Sequence, residues 1–119
     1  MKKTKIKILL ADDNANIRES LSDLLRANGY YVDLAKDGYE VLTYLHEKSP
    51  HILILDLMMP DKNGIEILTS IRNISPKTKV IIYTAFREYK NLMLSRQADK
   101  FLVKSESPKK LLAAIEKMI

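Results

Sequence analysis

Two hydrophobic periods alternate along the chain. Short aliphatic runs at Lys5 to Ala11, Tyr30 to Ala35, Ile52 to Asp56, Val80 to Tyr83 and Lys100 to Val103 are separated by segments whose apolar residues recur three and four positions apart. Short β-branched runs suit strands, and the longer spacing suits one face of a helix. Ile17, Leu21, Leu24 and Leu25 form a first helical stripe whose end is marked by Gly29. Val41, Leu42 and Leu45 form a second within Gly38 to Lys48, which stops before Pro50 because the residue preceding a proline avoids the α region. Ile65, Leu68 and Ile71 mark a third helix over Gly64 to Asn73, and a less regular one covers about Arg87 to Arg96. The last helix buries Leu111, Leu112, Ile115 and Met118, with Ser107 as its N-cap and Pro108 in the first turn, where a missing N–H costs nothing.

This alternation predicts an α/β fold of five strands and five helices in one domain, residues 1–119. Right-handed crossovers favour a flavodoxin-like (βα)5 three-layer sandwich, with a parallel five-stranded sheet of order 2-1-3-4-5. The strand ending at Asp56 is the most apolar and is expected to be buried on both faces.

Composition narrows the classes. With 119 residues, 46% hydrophobic and 29% charged, the chain has the balance of a globular domain and enough length for a real core. It has no cysteine, which excludes disulfides and thiolate metal sites and fits a reducing cytoplasm. No apolar run nears the length of a bilayer span, so neither a membrane anchor nor a signal peptide is expected. The net charge of +5 raises nucleic acid as a partner. Its lysines and arginines are scattered over the N-terminal five residues, Lys77 to Lys79 and Lys109-Lys110, with no aromatic interleaving. The expectation is therefore a solvated surface first, an acidic protein partner second, and no direct nucleic-acid binding by this domain.

The polar residues that break the apolar pattern fall at the carboxyl ends of the predicted strands: Asp12 and Asp13, Asp56, Thr84 and Lys104. Open parallel sheets carry their sites at that edge. Taken singly, an aspartate there is a turn former or helix cap, the reading favoured for Asp13 or Asn14 alone, and a threonine there is ordinary strand propensity. Taken together, three carboxylates and one lysine would share a crevice. Two like charges about 4 Å apart repel by roughly 4 kcal/mol at an effective dielectric of 20, so Lys104 alone does not balance them. A hard divalent cation would, and an all-oxygen site suits Mg²⁺ better than Zn²⁺.

Asp12-Asp13, the run Ile-Leu-Ile-Leu-Asp56-Leu-Met-Met-Pro60-Asp-Lys-Asn-Gly64, Thr84-Ala85 and Phe101-Leu-Val-Lys104 resemble the signature of response-regulator receiver domains of two-component signalling, in order and over essentially the whole chain. The resemblance implies that Asp56 is the phosphoacceptor, and that Asp12, Asp13, Asp56 and the backbone carbonyl of Met58 hold Mg²⁺. It implies that Thr84 and Lys104 bind phosphoryl oxygens, and that Thr84 and Phe101 form the switch, the aromatic ring turning inward on activation. The donor would be a sensor histidine kinase or a histidine phosphotransfer protein. The recipient of the signal would be a downstream effector or a C-terminal output domain, with room for a phosphorylation-dependent homodimer. Such a protein is a cytoplasmic switch that assists its own phosphorylation and dephosphorylation, not an enzyme with a separate substrate.

The chain departs from the family at several points. Ser105 follows Lys104 where the family usually has a proline with a cis peptide bond, Gln97 stands where a turn glycine is common, and the interval from Thr84 to Lys104 is short. Met58 and Phe86, each two residues past Asp56 or Thr84, are bulky and apolar. They would flank the path of an attacking water and slow dephosphorylation.

Rival readings remain. A haloacid-dehalogenase-type phosphatase would want an aspartate where Met58 stands, and a flavin-binding module would want a Ser/Thr/Gly-rich loop where Asp12-Asp13-Asn14 stands. A receiver-like interaction domain that takes no phosphate is the third.

Overall fold

The computed structural model describes residues 5–59, 64–91 and 97–119. Its strands are β1 (Lys7–Ala11), β2 (Tyr31–Ala35), β3 (Ile52–Leu55), β4 (Lys79–Thr84) and β5 (Lys100–Val103). Its α-helices are α1 (Ala15–Ala27), α2 (Gly38–Glu47), α3 (Gly64–Ile74) and α4 (Pro108–Met118). All strand pairs are parallel and the sheet order is β2-β1-β3-β4-β5, as the alternating periods predict.

Local chemistry sets the element ends. Asn14 caps α1 by accepting the Ile17 N–H at 3.0 Å, and Asp37 caps α2 by accepting the Glu40 N–H at 2.9 Å. Ser107 caps α4 by accepting the Lys109 N–H at 3.2 Å. Beyond α1 the chain turns through Gly29 at φ 91°, a left-handed value that a Cβ disfavours.

One element differs from expectation. Over Arg87–Asn91, the described part of the expected fourth helix, the chain forms a 3₁₀ turn, and the described residues contain four α-helices. This turn reads Arg-Glu-Tyr-Lys-Asn, five residues that carry no apolar stripe of their own. Residues 92–96 of that expected helix, the loop residues 60–63 and the Ile65 side chain lie outside the described residues.

Alternation along the strands divides the core into two layers. Ile8, Leu10, Ile52, Ile54, Ile81 and Tyr83 pack on one side of the sheet with α1 and α4. Leu9, Ala11, Leu53, Leu55, Val80 and Ile82 pack on the other with α2 and α3. β3 lies at the centre of the sheet and all four of its residues are buried, as its continuous aliphatic run predicts.

Polar ties secure the strand-start end of this core. Arg72 at the end of α3 donates to Gln97 O at 2.8 Å, Thr78 O at 3.0 Å and the Asp99 carboxylate at 2.8 Å. Asp99 also accepts the Val80 N–H at 2.7 Å, which joins α3, β4 and the approach to β5. The Thr78 hydroxyl donates to Pro50 O at 2.8 Å, so in the 2.6 Å contact between the two hydroxyls Ser75 is the donor. No described helix is long and apolar enough to cross a membrane.

Candidate functional site

Backbone bonds at the strand carboxyl ends hold the site residues. The Asp12 N–H donates to Ala35 O at 3.1 Å, the Asp56 N–H to Ala11 O at 3.0 Å, and the Lys104 N–H to Thr84 O at 2.7 Å. Each residue therefore extends a ladder one step beyond its strand. Strand side chains alternate faces, so Asp12 follows Ile8 and Leu10, Asp56 follows Ile52 and Ile54, and Lys104 follows Leu102, all on the α1 and α4 side.

Three charged side chains meet there. The Lys104 ammonium donates to Asp12 Oδ2 at 2.5 Å and to Asp56 Oδ2 at 3.1 Å. The second oxygen of each carboxylate accepts a main-chain N–H, from Asn14 on Asp12 at 2.9 Å and from Met58 on Asp56 at 3.2 Å. Asp12 and Asp56 are almost wholly buried, at 2% and 6% exposure, whereas Asp13 is exposed. One carboxylate oxygen from each of Asp12, Asp13 and Asp56 lies within 4.8 Å of the other two.

Burial raises the Asp56 pKa above the ordinary carboxylate value. Neighbouring Asp12 adds to the rise, and the Lys104 charge and the Met58 N–H only partly oppose it. Burial also pulls on Lys104 in the direction of neutrality, but its hydrogen bond to Asp12 and the charges of Asp56 and Asp12 together outweigh it, and its pKa rises. Lys104 is therefore a firm cation at neutral pH, and the surroundings of Asp56 disfavour its ionised form. The donor set is all oxygen and in excess of the one ammonium, which fits a hard divalent cation such as Mg²⁺.

Thr84 and Phe101 belong to the opposite face. Thr84 is fully buried at the end of β4, and its hydroxyl accepts the Phe86 N–H at 3.3 Å. Phe101 pairs with Ile82 in the β4–β5 register and packs, half-buried, against the α2 and α3 core. The two residues thus stand on adjacent strands with their side chains on one face. Met58 and Phe86, at the carboxyl ends of neighbouring strands, are 39% and 41% exposed. The described residues contain no cis peptide bond, so Lys104–Ser105 is trans, the form a non-prolyl bond strongly prefers.

The predicted residues of the acid crevice thus come together, while strand alternation places Thr84 and Phe101 on the other face of β4 and β5. Sequence reasoning did not foresee Arg18, whose guanidinium donates to Asp12 O at 2.6 Å. It lies one turn inside α1, beside the apolar stripe, where hydrophobic spacing carries no signal for it.

A family model described as the response regulator receiver domain matches residues 8–116. The chain belongs to this family. The receiver domain is 38% identical over 118 residues to a probable transcriptional regulator, ycf27, of Guillardia theta, covering 98% of this chain and 46% of the relative. It is 34% identical over 116 residues to the response regulator MprA of Mycobacterium bovis, covering 96% and 50%. The chain therefore spans about half the length of these curated relatives. Among solved structures it is similar to the response regulator TrrA of Thermotoga maritima in complex with Mg²⁺-BeF, with TM-score 0.91 and 34% identity over 96% of this chain and 99% of that one. It is also similar to the chemotaxis response regulator CheY4 of Vibrio cholerae, with TM-score 0.86 and 27% identity over 96% and 98%. The receiver domain is accordingly a two-component signalling module with an aspartate cluster at the strand ends.

The charge balance of the crevice has a measurable consequence. A carboxyl whose folded pKa is raised adds stability below its unfolded pKa and loses it as pH rises through the folded value. At neutral pH without divalent ions, Asp56→Asn is therefore expected to raise Tm by about 3 °C. In thermal melts taken stepwise toward acid the gain should shrink, because the wild-type carboxyl then protonates. A variant less stable than wild type at neutral pH would contradict this electrostatic reading.

Proposed function

We propose that this receiver domain takes a phosphoryl group from the phosphohistidine of a sensor histidine kinase or histidine phosphotransfer protein onto the carboxylate of Asp56. The observation that carries the reading is the Lys104 ammonium, hydrogen-bonded at once to Asp12 and Asp56. A carboxylate attacking phosphorus needs positive charge beside the equatorial oxygens and little acid-base machinery. As the Asp56 oxygen bonds to phosphorus the P–N bond of the donor breaks, and its electron pair leaves on the imidazole nitrogen. Lys104 is close enough to Asp56 to exchange a carboxylate contact for a phosphoryl oxygen. The backbone N–H of Met58 holds the other oxygen and orients the nucleophile.

Asp12, Asp13, Asp56 and the backbone carbonyl of Met58 would hold Mg²⁺. Bound there, the ion supplies Lewis-acid charge to the phosphoryl oxygens. The bound state of TrrA, a relative at 34% identity, supports this assignment. Thr84 lies at the neighbouring strand end and would donate its hydroxyl to a phosphoryl oxygen. Turning toward the phosphoryl group would free space on the face it shares with Phe101, whose ring would move inward. Altered packing along β4 and β5 would then signal to a downstream effector or an output domain in a longer chain, with phosphorylation-dependent homodimerisation as one form of output. The domain works as a cytoplasmic switch that assists its own phosphorylation and dephosphorylation.

Incubation with acetyl phosphate and Mg²⁺, followed by intact mass spectrometry, should show the gain of one phosphoryl group. The gain should vanish in Asp56→Asn and on addition of EDTA, and fall about 100-fold in rate in Lys104→Ala. Undiminished labelling of Asp56→Asn would overturn the acceptor assignment.

The exposed side chains of Met58 and Phe86 bear on the lifetime of the acyl phosphate. Neither side chain orients a water by hydrogen bonding, and both are exposed just past the ends of the strands that lead to Asp56 and Thr84. Met58→Asn combined with Phe86→Glu is expected to shorten the phosphoryl half-life about tenfold, equivalent to about 1.4 kcal/mol of barrier. An unchanged decay in a phosphate-release assay would remove these residues from the account.

A further inference from the structure

In a parallel sheet with crossover helices, every strand starts at one end of the molecule and every helix finishes there. This topology brings together cations that are scattered in the chain, on the surface opposite the acid crevice. Lys7 opens β1, Lys79 opens β4 and Lys100 opens β5. Lys5 precedes β1, Lys48 ends α2, and Lys77 lies in the turn into β4. All six are exposed.

Backbone bonds fix part of this array. The His51 N–H donates to Lys7 O and the Lys79 N–H to His51 O, both at 2.9 Å. Lys7 and Lys79 therefore stand two strand spacings apart, about 10 Å. The residue between them is His51, whose Nδ1 accepts the Lys7 N–H at 3.0 Å. By strand alternation Lys7 belongs to the α2 and α3 side of this end and Lys79 and Lys100 to the α1 and α4 side, so the charges ring the strand starts on both faces. Lys48 answers the carboxyl terminus of α2. The acidic residues of the final helical turns and strand approaches are Glu47, Asp99 and Glu116, and Asp99 is already held by Arg72 and the Val80 N–H.

The surface is also poor in large apolar side chains. Among the described residues, exposed Tyr39, Met58 and Phe86 lie at the opposite end, and Leu34 near the finish of β2, which leaves Tyr31 and Ile119 here. Protein interfaces are built around an apolar centre. A phosphate chain needs none, and lysines meet it as point charges.

We propose that the strand-start end contacts the phosphate backbone of double-stranded nucleic acid without reading its bases. The proposal departs from the expectation of no direct nucleic-acid binding, which rests on the scattered linear distribution of charge. The contact is independent of the phosphoacceptor chemistry at the other end, so either can fail without the other.

Fluorescence anisotropy with a labelled duplex of arbitrary sequence tests it on the full chain. The expected Kd is on the order of 10⁻⁴ to 10⁻⁶ M near physiological salt, weakening roughly 100-fold between 50 and 200 mM if about four phosphates are neutralised. Lys7→Glu, Lys77→Glu and Lys79→Glu combined should lose at least about tenfold in affinity. Lys36→Glu, Arg87→Glu and Lys109→Glu at the other end should lose far less. Each reversal shifts the charge by two, so both triple variants fall from +5 to −1 and differ only in location. Lys7→Gln with Lys79→Gln, which introduces no repulsion, should show a smaller loss and keeps the test open if the reversed triple variant does not fold. Equal losses in the two triple variants would overturn the proposal, as would absence of wild-type binding. Tighter binding to polyglutamate or to vesicles of anionic phospholipid than to the duplex would also overturn it, in favour of an acidic protein or a membrane surface.

Discussion

One ammonium between two buried carboxylates governs the architecture of the site. Lys104 comes from the end of β5, Asp12 from the end of β1 and Asp56 from the end of β3, so the contact requires strands distant in sequence to finish at a common edge. The continuous aliphatic run of β3 drives this strand to the sheet centre, and the parallel ladder then carries the adjoining acids past the edge of the apolar layers. The buried core thus holds the Asp56 carboxyl where water solvates it poorly. The proposed nucleophile is thus a desolvated carboxylate with a fixed cation beside it.

The same topology separates charge along the molecule. The aspartate cluster lies where strands finish, and Lys5, Lys7, Lys48, Lys77, Lys79 and Lys100 lie where strands begin. The two faces of the sheet also divide the labour: the acid crevice continues the α1 and α4 side, while Thr84 and Phe101 share the α2 and α3 side. A hydroxyl that moved between these environments would couple chemistry on one face to packing on the other, through β4 and β5 alone.

Much of this was legible in the chain. The strand order follows from the alternation of periods and crossover handedness, and Asp12, Asp13, Asp56 and Lys104 were visible as polar breaks at the ends of apolar runs. The caps at Asn14 and Ser107 were readable because a side-chain oxygen just before a helix has a specific task. The 3₁₀ turn at Arg87 to Asn91 was not, because this polar stretch carries no local signal that chooses between an α-helix and a tighter turn. Arg18 was missed because its partner is a main-chain carbonyl, which leaves no mark in side-chain pattern. The basic end leaves no mark along the chain, because its lysines are far apart in sequence and share one end of the molecule only when the strands are laid side by side.

The central claim is that the three aspartates form one cation site whose excess negative charge a divalent ion relieves. Calorimetric titration of Mg²⁺ into the unphosphorylated protein, compared across Asp12→Asn, Asp13→Asn and Asp56→Asn, addresses it most directly. A single binding event, weakened about tenfold or more by each substitution, is the predicted result. Wild-type affinity in Asp56→Asn, or the absence of any binding event, would contradict the account.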